Sequence, residues 1–242
     1  MDKLNQEEVS NFYNSVEDIW PANDKWHRYT RKVIEKYIHQ TISTENLLPN
    51  DMKILNAGSA GEEYSVQGEH YHVDIAQERI KHRPNSFVTS IENLPFSDNF
   101  FDICICVGSV INYCNDALQA ISEFSRVLKS NGLLILEFDS SNSFEYLFTP
   151  AFSQSAHIIK TFYDGTEQRI WVYSNDYIEN LLKTANFTMK NTKNFHIASS
   201  LFYKLTSLSN ISSKFSFLDK WLHKTPLSKF SCNVILSVVK KT

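Results

Sequence analysis

Glycine is scarce in this chain, with six in 242 residues, and only Gly58 and Gly61 fall together behind an apolar run, "MKILNAGSAGEEYSV". A phosphate-binding P-loop is excluded, because no Gly-Lys-Ser/Thr follows the turn. A dinucleotide loop is disfavoured: Ala60 adds a methyl group where backbone would approach a pyrophosphate, and Glu62 and Glu63 bring negative charge to the same place. Basic runs are also missing. With 24 Lys and Arg against 27 Asp and Glu, the formal charge is −3, which argues against a general nucleic-acid binder. The four cysteines lie mostly in apolar segments and read as reduced, buried thiols. No stretch approaches the ~20 apolar residues of a membrane span, and "MDKLNQEEVS" has no signal-peptide core. A soluble cytoplasmic protein is expected. With no repeat and no Pro-, Gly- or Ser-rich linker, residues 1–242 are expected to form a single domain.

What is present is an alternation of strand and helix patterns. Seven strand-like runs stand out: "KILNA", "HYHVDI", "SFVTS", "FDICICVGSV", "GLLILEF", "FTMKNTKNF" and "NVILSVV". Residues 6–42 read as helical, broken at "WPANDKW" by Pro21 and Asn23-Asp24. Further helices are predicted over 115–129, ending in Asn131-Gly132 turn chemistry, and over 175–185, with Ser174 as N-cap and Asn186 at a left-handed turn. The pattern predicts an α/β fold: a doubly wound, mostly parallel, seven-stranded sheet with helices on both faces. Ligands of such sheets sit beyond the carboxyl ends of the strands, at the switch point, where the 58–61 turn lies.

A nucleoside ligand without phosphate, such as S-adenosylmethionine, needs only a tight small-residue turn, an acid for the ribose hydroxyls and an apolar slot for adenine. Asp74, sixteen residues after Gly58, is placed as that acid; the alternative is an N-cap for "AQERI". "SIENLPFSDNFFDICICVGSVINY" followed by "ALQAISEFSRVLKSNGLLILEF" resembles the central stretch of small-molecule class I S-adenosylmethionine-dependent methyltransferases, with Glu92, Leu94, Pro95, Phe96, Phe101, Asp102, Glu123, Arg126, Val127, Leu128, Lys129 and Gly132 matching in order. The likeness is strong over residues 50–140 and looser beyond. Departures are Asn56 for the usual Asp before the first glycine, Ala60 for the second glycine, and Ser90 for an acid near the adenine amine.

The resemblance implies a Rossmann-like core with an N-terminal helical lid (1–48), a cofactor-binding half (49–140) and substrate-side insertions forming a helical cap with the last strands (141–242). It implies S-adenosylmethionine as cofactor, with Asn56, Gly58, Ser59 and Ala60 at the methionine end. Asp74 and Ile75 would flank the ribose, Ser90, Ile91 and Glu92 the adenine, and Val107 and Gly108 would run beneath the sulfonium. For Ile75, Ile91 and Val107, plain core packing is the competing explanation. Lid and substrate candidates are Tyr13, Trp26, Tyr29, Tyr113 and Tyr163. His27 and His157 are candidate general bases, the latter in a patch with Tyr163, Asp164 and Arg169. No metal site is expected: Cys104 and Cys106, like His70 and His72, share strand faces without further ligands.

"KFSFLDKWLHKTPLSKF" sets Phe215, Leu218, Trp221 and Leu222 on one helical stripe among lysines. It reads as a helix packed on the domain, with a membrane-surface helix or a lid over a greasy substrate as alternatives. The expected function is methyl transfer to a small-molecule or sugar-like acceptor. A catalytically weak member of the fold that binds a nucleoside or a protein partner is the competing reading, and a nicotinamide-dependent reductase is a third.

Overall fold

The computed structural model describes residues 3–45, 51–163 and 165–242; the expected lid boundary at 48/49 and Asp164 fall outside them. Strands β1 (Lys53–Ala57), β2 (Glu69–Asp74), β3 (Ser86–Val88), β4 (Phe101–Cys106) and β5 (Leu128–Asp139) run parallel. After an antiparallel hairpin, β6 (Ala156–Tyr163) and β7 (Thr166–Tyr173), the chain returns as β8 (Phe187–Phe195) and β9 (Asn233–Lys240). The seven-stranded sheet has the order β3-β2-β1-β4-β5-β9-β8, with β9 antiparallel to both of its neighbours.

The strand period of two sorts the core into two layers. Cys104, Cys106, Leu134 and Leu136 face one layer, with Ile121, Phe124 and Ile178 from α4 (Ala117–Val127) and α5 (Asn175–Thr184). Ile103, Ile105, Leu133 and Ile135 face the other, which α2 (Lys25–Thr44) covers with Val33, Ile34, Tyr37 and Ile38. The cysteines are free, buried thiols.

Helix starts follow from caps: Asn5 for α1 (Gln6–Ser15), Asp24 for α2, Asp116 for α4 and Ser174 for α5, each accepting backbone N–H bonds. Asn186 takes the left-handed conformation expected of it, and Asn131 in the Asn131-Gly132 turn is left-handed too. The helix predicted over 115–129 stops at Val127, where Leu128 already pairs with Phe101 in the sheet. The region after β5 is more than helical: it begins with the β6–β7 hairpin, and its helical part, starting with α6 (Ile197–Thr206), follows only after α5 and β8. After the short α7 (Ser209–Ser212), the single amphipathic helix expected over 214–230 is instead a chain of short turns: a 3-10 turn over Ser213–Leu218, α8 (Asp219–Leu222) and a 3-10 turn over Pro226–Phe230. Its stripe is not sealed either, since Trp221 stays exposed. Among the described residues no helix is long and apolar enough to cross a membrane.

Candidate functional site

All five parallel strands end on one edge, and beyond it lies a cavity of about 490 Å³. Its floor is the turn after β1. Gly58 sits at φ +66, and a Cβ there would fall 2.2 Å from Cγ1 of Val110, so glycine is required on both counts. Ala60 also adopts a positive φ of 49. Asp74, ending β2, holds this turn: one carboxylate oxygen accepts from the N–H of Ala60 (2.9 Å) and the other from the N–H of Ala76 (2.8 Å). The short helix that follows, α3 (Gln77–Ile80), has Ala76 as its N-cap with no side-chain bond, so Asp74 is not its cap; it braces the backbone on both sides of the cavity it lines. Burial holds its pKa above the usual carboxylate value. Glu62 and Glu63 turn away from the site and pair with Arg31 and with Arg83 and His72.

Gly58, Ser59, Ala60, Asp74, Ile75, Ser90, Ile91, Val107 and Gly108 all reach the cavity wall. Asn56 and Glu92 do not. Asn56 is buried with its amide nitrogen 2.9 Å from Nδ1 of His70, and Glu92 accepts from the N–H of Asp116 and the hydroxyl of Ser90. Among the wall residues, Oγ of Ser59, Nε1 of Trp20 and Oδ1 of Asn233 are buried polar atoms without a hydrogen-bond partner, while Nδ1 of His27 lies 3.1 Å from the Asp24 carboxylate.

The N-terminal segment lines one side of the cavity. Helix α1 is tied across the strand ends by Gln6 to the carbonyl of Tyr113 (2.6 Å), Ser10 to that of Ile75 (2.7 Å), and Arg79 to that of Tyr13 (2.6 Å). Tyr163, at the tip of the hairpin, donates to the carbonyl of Ile19 (2.6 Å) and packs edge-on against Phe12 and His27. Tyr13, Trp26, His27, Tyr113 and Tyr163 therefore meet in the cavity wall, contributed by three separate segments. Tyr29 lies outside it, donating to Asp219, and His157 sits along β6 away from the cavity. Trp26 stacks at 3.8 Å on His196, a buried histidine that burial keeps neutral, with its pKa lowered to about 3.

The sequence reading passed over the acids at the end of β5. Glu137 and Asp139 share one face of the strand, and the amide nitrogen of Asn233 donates to both, at 2.8 and 2.5 Å. The N–H of Ser109 donates to Glu137 (2.5 Å) and its hydroxyl to Asp139 (2.9 Å). Burial, and then the charge of Asp139, raise Glu137 to about 8; burial raises Asp139 to about 6. Asp139 lines the cavity together with Glu145, which burial raises to about 7. No lysine or arginine among the described residues lines it.

Residues 52–136 match the family model described as a methyltransferase domain, which spans β1 through most of β5. Over those residues, about a third of its length, the chain is similar to class I S-adenosylmethionine-dependent methyltransferases. A demethylmenaquinone methyltransferase of Staphylococcus haemolyticus is 26% identical over 136 residues, 52% of this chain and 56% of that protein. The chain thus aligns with only about half the length of that curated relative. Solved structures share the methyltransferase fold at low identity. The 4+2 cyclase SpnF has a TM-score of 0.62 at 13% identity, covering 100% of this chain and 98% of that one. The 1,6-didemethyltoxoflavin-N1-methyltransferase of Burkholderia thailandensis, solved with bound 1,6-didemethyltoxoflavin and S-adenosylhomocysteine, has a TM-score of 0.55 at 12% identity, covering 98% of this chain and 87% of that one. Among the described residues no group of three or more His, Cys, Asp or Glu is placed to hold a metal ion.

Proposed function

We propose that the chain transfers a methyl group from S-adenosylmethionine to a small-molecule acceptor bearing no negative charge, with Asp139 receiving the acceptor's proton. The observation that carries this reading is the cavity itself. It combines, on one sheet edge, the Gly58–Ala60 turn, the buried carboxylate of Asp74 and the unpartnered polar atoms of Ser59 and Trp20. These groups suit an aminoacyl nucleoside: Ser59 and Trp20 would hold the amino-acid end, Asp74 the ribose hydroxyls, and Ser90 and Ile91 the adenine.

When bound, the cofactor supplies a methyl group on a positively charged sulfur, already activated for displacement. The protein's own work is then positioning, exclusion of water by the lid, and proton management. Asp139, ionised above about pH 6, stands on the wall as the base for a hydroxyl or protonated amine. Glu137, protonated up to about pH 8, keeps a second charge from forming beside it. Four acids line the cavity (Asp24, Asp74, Asp139 and Glu145) with no cation among the described residues, which disfavours carboxylate or phosphate acceptors.

Calorimetric titration with S-adenosylhomocysteine tests the reading. Micromolar binding is expected, and silence at millimolar ligand would overturn it. One contact favours the competing reading, a fold member that binds a nucleoside without transferring methyl: Trp20 packs over Gly108, 3.7 Å from where a Cβ would lie. Methylated product from an acceptor screen separates the two.

A further inference from the structure

We propose that the cap built by residues 197–230 docks on an anionic phospholipid surface. Of the twelve exposed large apolar side chains among the described residues, seven lie in this one segment. On α6, Leu201 and Leu205 stand at i and i+4 on one helical face, and the exposed Leu208 follows in extended backbone after the left-handed Ser207. Leu205 is 73% exposed, and beyond it Phe217 and Trp221 are 57% and 55% exposed. Apolar side chains gathered this way on one part of a surface mark an interaction site rather than ordinary scatter.

The charge on the cap says which partner. Residues 197–230 contain five lysines and a single acid in a chain whose overall formal charge is −3. The acid, Asp219, is buried and consumed internally, accepting from the hydroxyl of Tyr29 and the N–H groups of Ile197 and Ala198. The lysines (Lys204, Lys214, Lys220, Lys224 and Lys229) are all exposed, and among the described residues none is in an ion pair. Lys220 instead lies over the ring of Trp221, 4.0 Å from its centroid. Leucines and aromatics that enter the acyl boundary, ringed by unpaired cations that meet headgroup phosphates, are the chemistry of an interfacial element. A protein partner of matching shape is the weaker fit, because the cap has no exposed acid to answer a partner's cations. The cap also contributes Tyr203, Ser207 and Ser209 to the cavity wall, so docking sets the cavity beside the lipid.

The test is flotation of the full chain, without added cofactor, on vesicles of pure phosphatidylcholine and of a roughly 7:3 mixture with phosphatidylglycerol. Binding is expected on the mixed vesicles only, released by high salt, with a blue shift of tryptophan emission that Trp221→Phe diminishes. Reversing three charges together (Lys214→Glu, Lys220→Glu and Lys224→Glu) is expected to lower the partition coefficient about 100-fold, on the order of five-fold per lysine removed. Leu205→Ser with Leu208→Ser lowers it independently of salt. Absence of binding to either vesicle, binding indifferent to lipid charge and to salt, or self-association that buries Trp221 would each overturn the proposal. S-adenosylhomocysteine titration of the same variants reads the cavity separately, so loss of docking and loss of cofactor binding are distinguishable.

Discussion

At the scale of single residues, Gly58 and Asp74 do different work within one turn. Gly58→Ala places a methyl group on Val110 in a backbone conformation that side chains resist, and is expected to weaken S-adenosylhomocysteine binding and lower stability. Adding Val110→Ala should restore part of both, leaving a deficit of about 1 kcal/mol from the positive φ alone. Asp74→Ala is expected to weaken binding of that ligand by ~2 kcal/mol, the order of a lost charged hydrogen bond, measured by calorimetry. Unchanged affinity would mean that the nucleoside lies elsewhere. Such residues were readable in the sequence because a tight turn after a strand, and an acid at the end of the next, are local patterns. Glu137 and Asp139 were not. In "GLLILEFD" they look like polar residues at a strand exit, and only the antiparallel register that sets Asn233 opposite Asp139 turns them into a buried pair.

At the scale of elements, β1 and β8 have the bounds that their apolar patterns predict, as does the start of α5 at Ser174. Ser174→Ala removes the side-chain acceptor for the N–H of Tyr177 and is expected to cost about 1 kcal/mol in urea denaturation, without affecting the lid. The β6–β7 hairpin was harder to see. In the sequence its two halves flank the dipeptide "DG", yet their partly exposed, polar-aromatic faces read equally well as a substrate patch. Its contribution is mechanical: Tyr163 reaches Ile19 and pins the connection between α1 and α2. Tyr163→Phe is expected to accelerate limited proteolysis between residues 16 and 24, while global stability falls by only about 1 kcal/mol.

At the scale of the whole molecule, the buried acids tie stability to pH. Burial raises both Glu137 and Asp139, so the native state keeps protons that the unfolded chain releases near pH 4 to 4.5. Stability from this pair is therefore greatest at low pH and is lost as pH rises through about 6 and then about 8. Urea midpoints between pH 5 and pH 9 should fall along that course, and more steeply in Asn233→Leu, where neither carboxylate keeps the shared amide donor. A midpoint rising over that range would show that the pair is already ionised in the native state. The same titration bears on catalysis, since a base near 6 gives a kcat/KM that climbs through that pH.

The position of β9 has a consequence for how the polypeptide matures. Residues 233–240 are the last strand of the sheet to be synthesised, yet they sit between β5 and β8 and leave neither complete without them. Without β9, β5 and β8 would each present an open edge on the side where residues 233–240 pair with them. Premature termination before Asn233 should thus yield aggregates rather than a shortened enzyme, and any extension at the far end must leave that late insertion unobstructed.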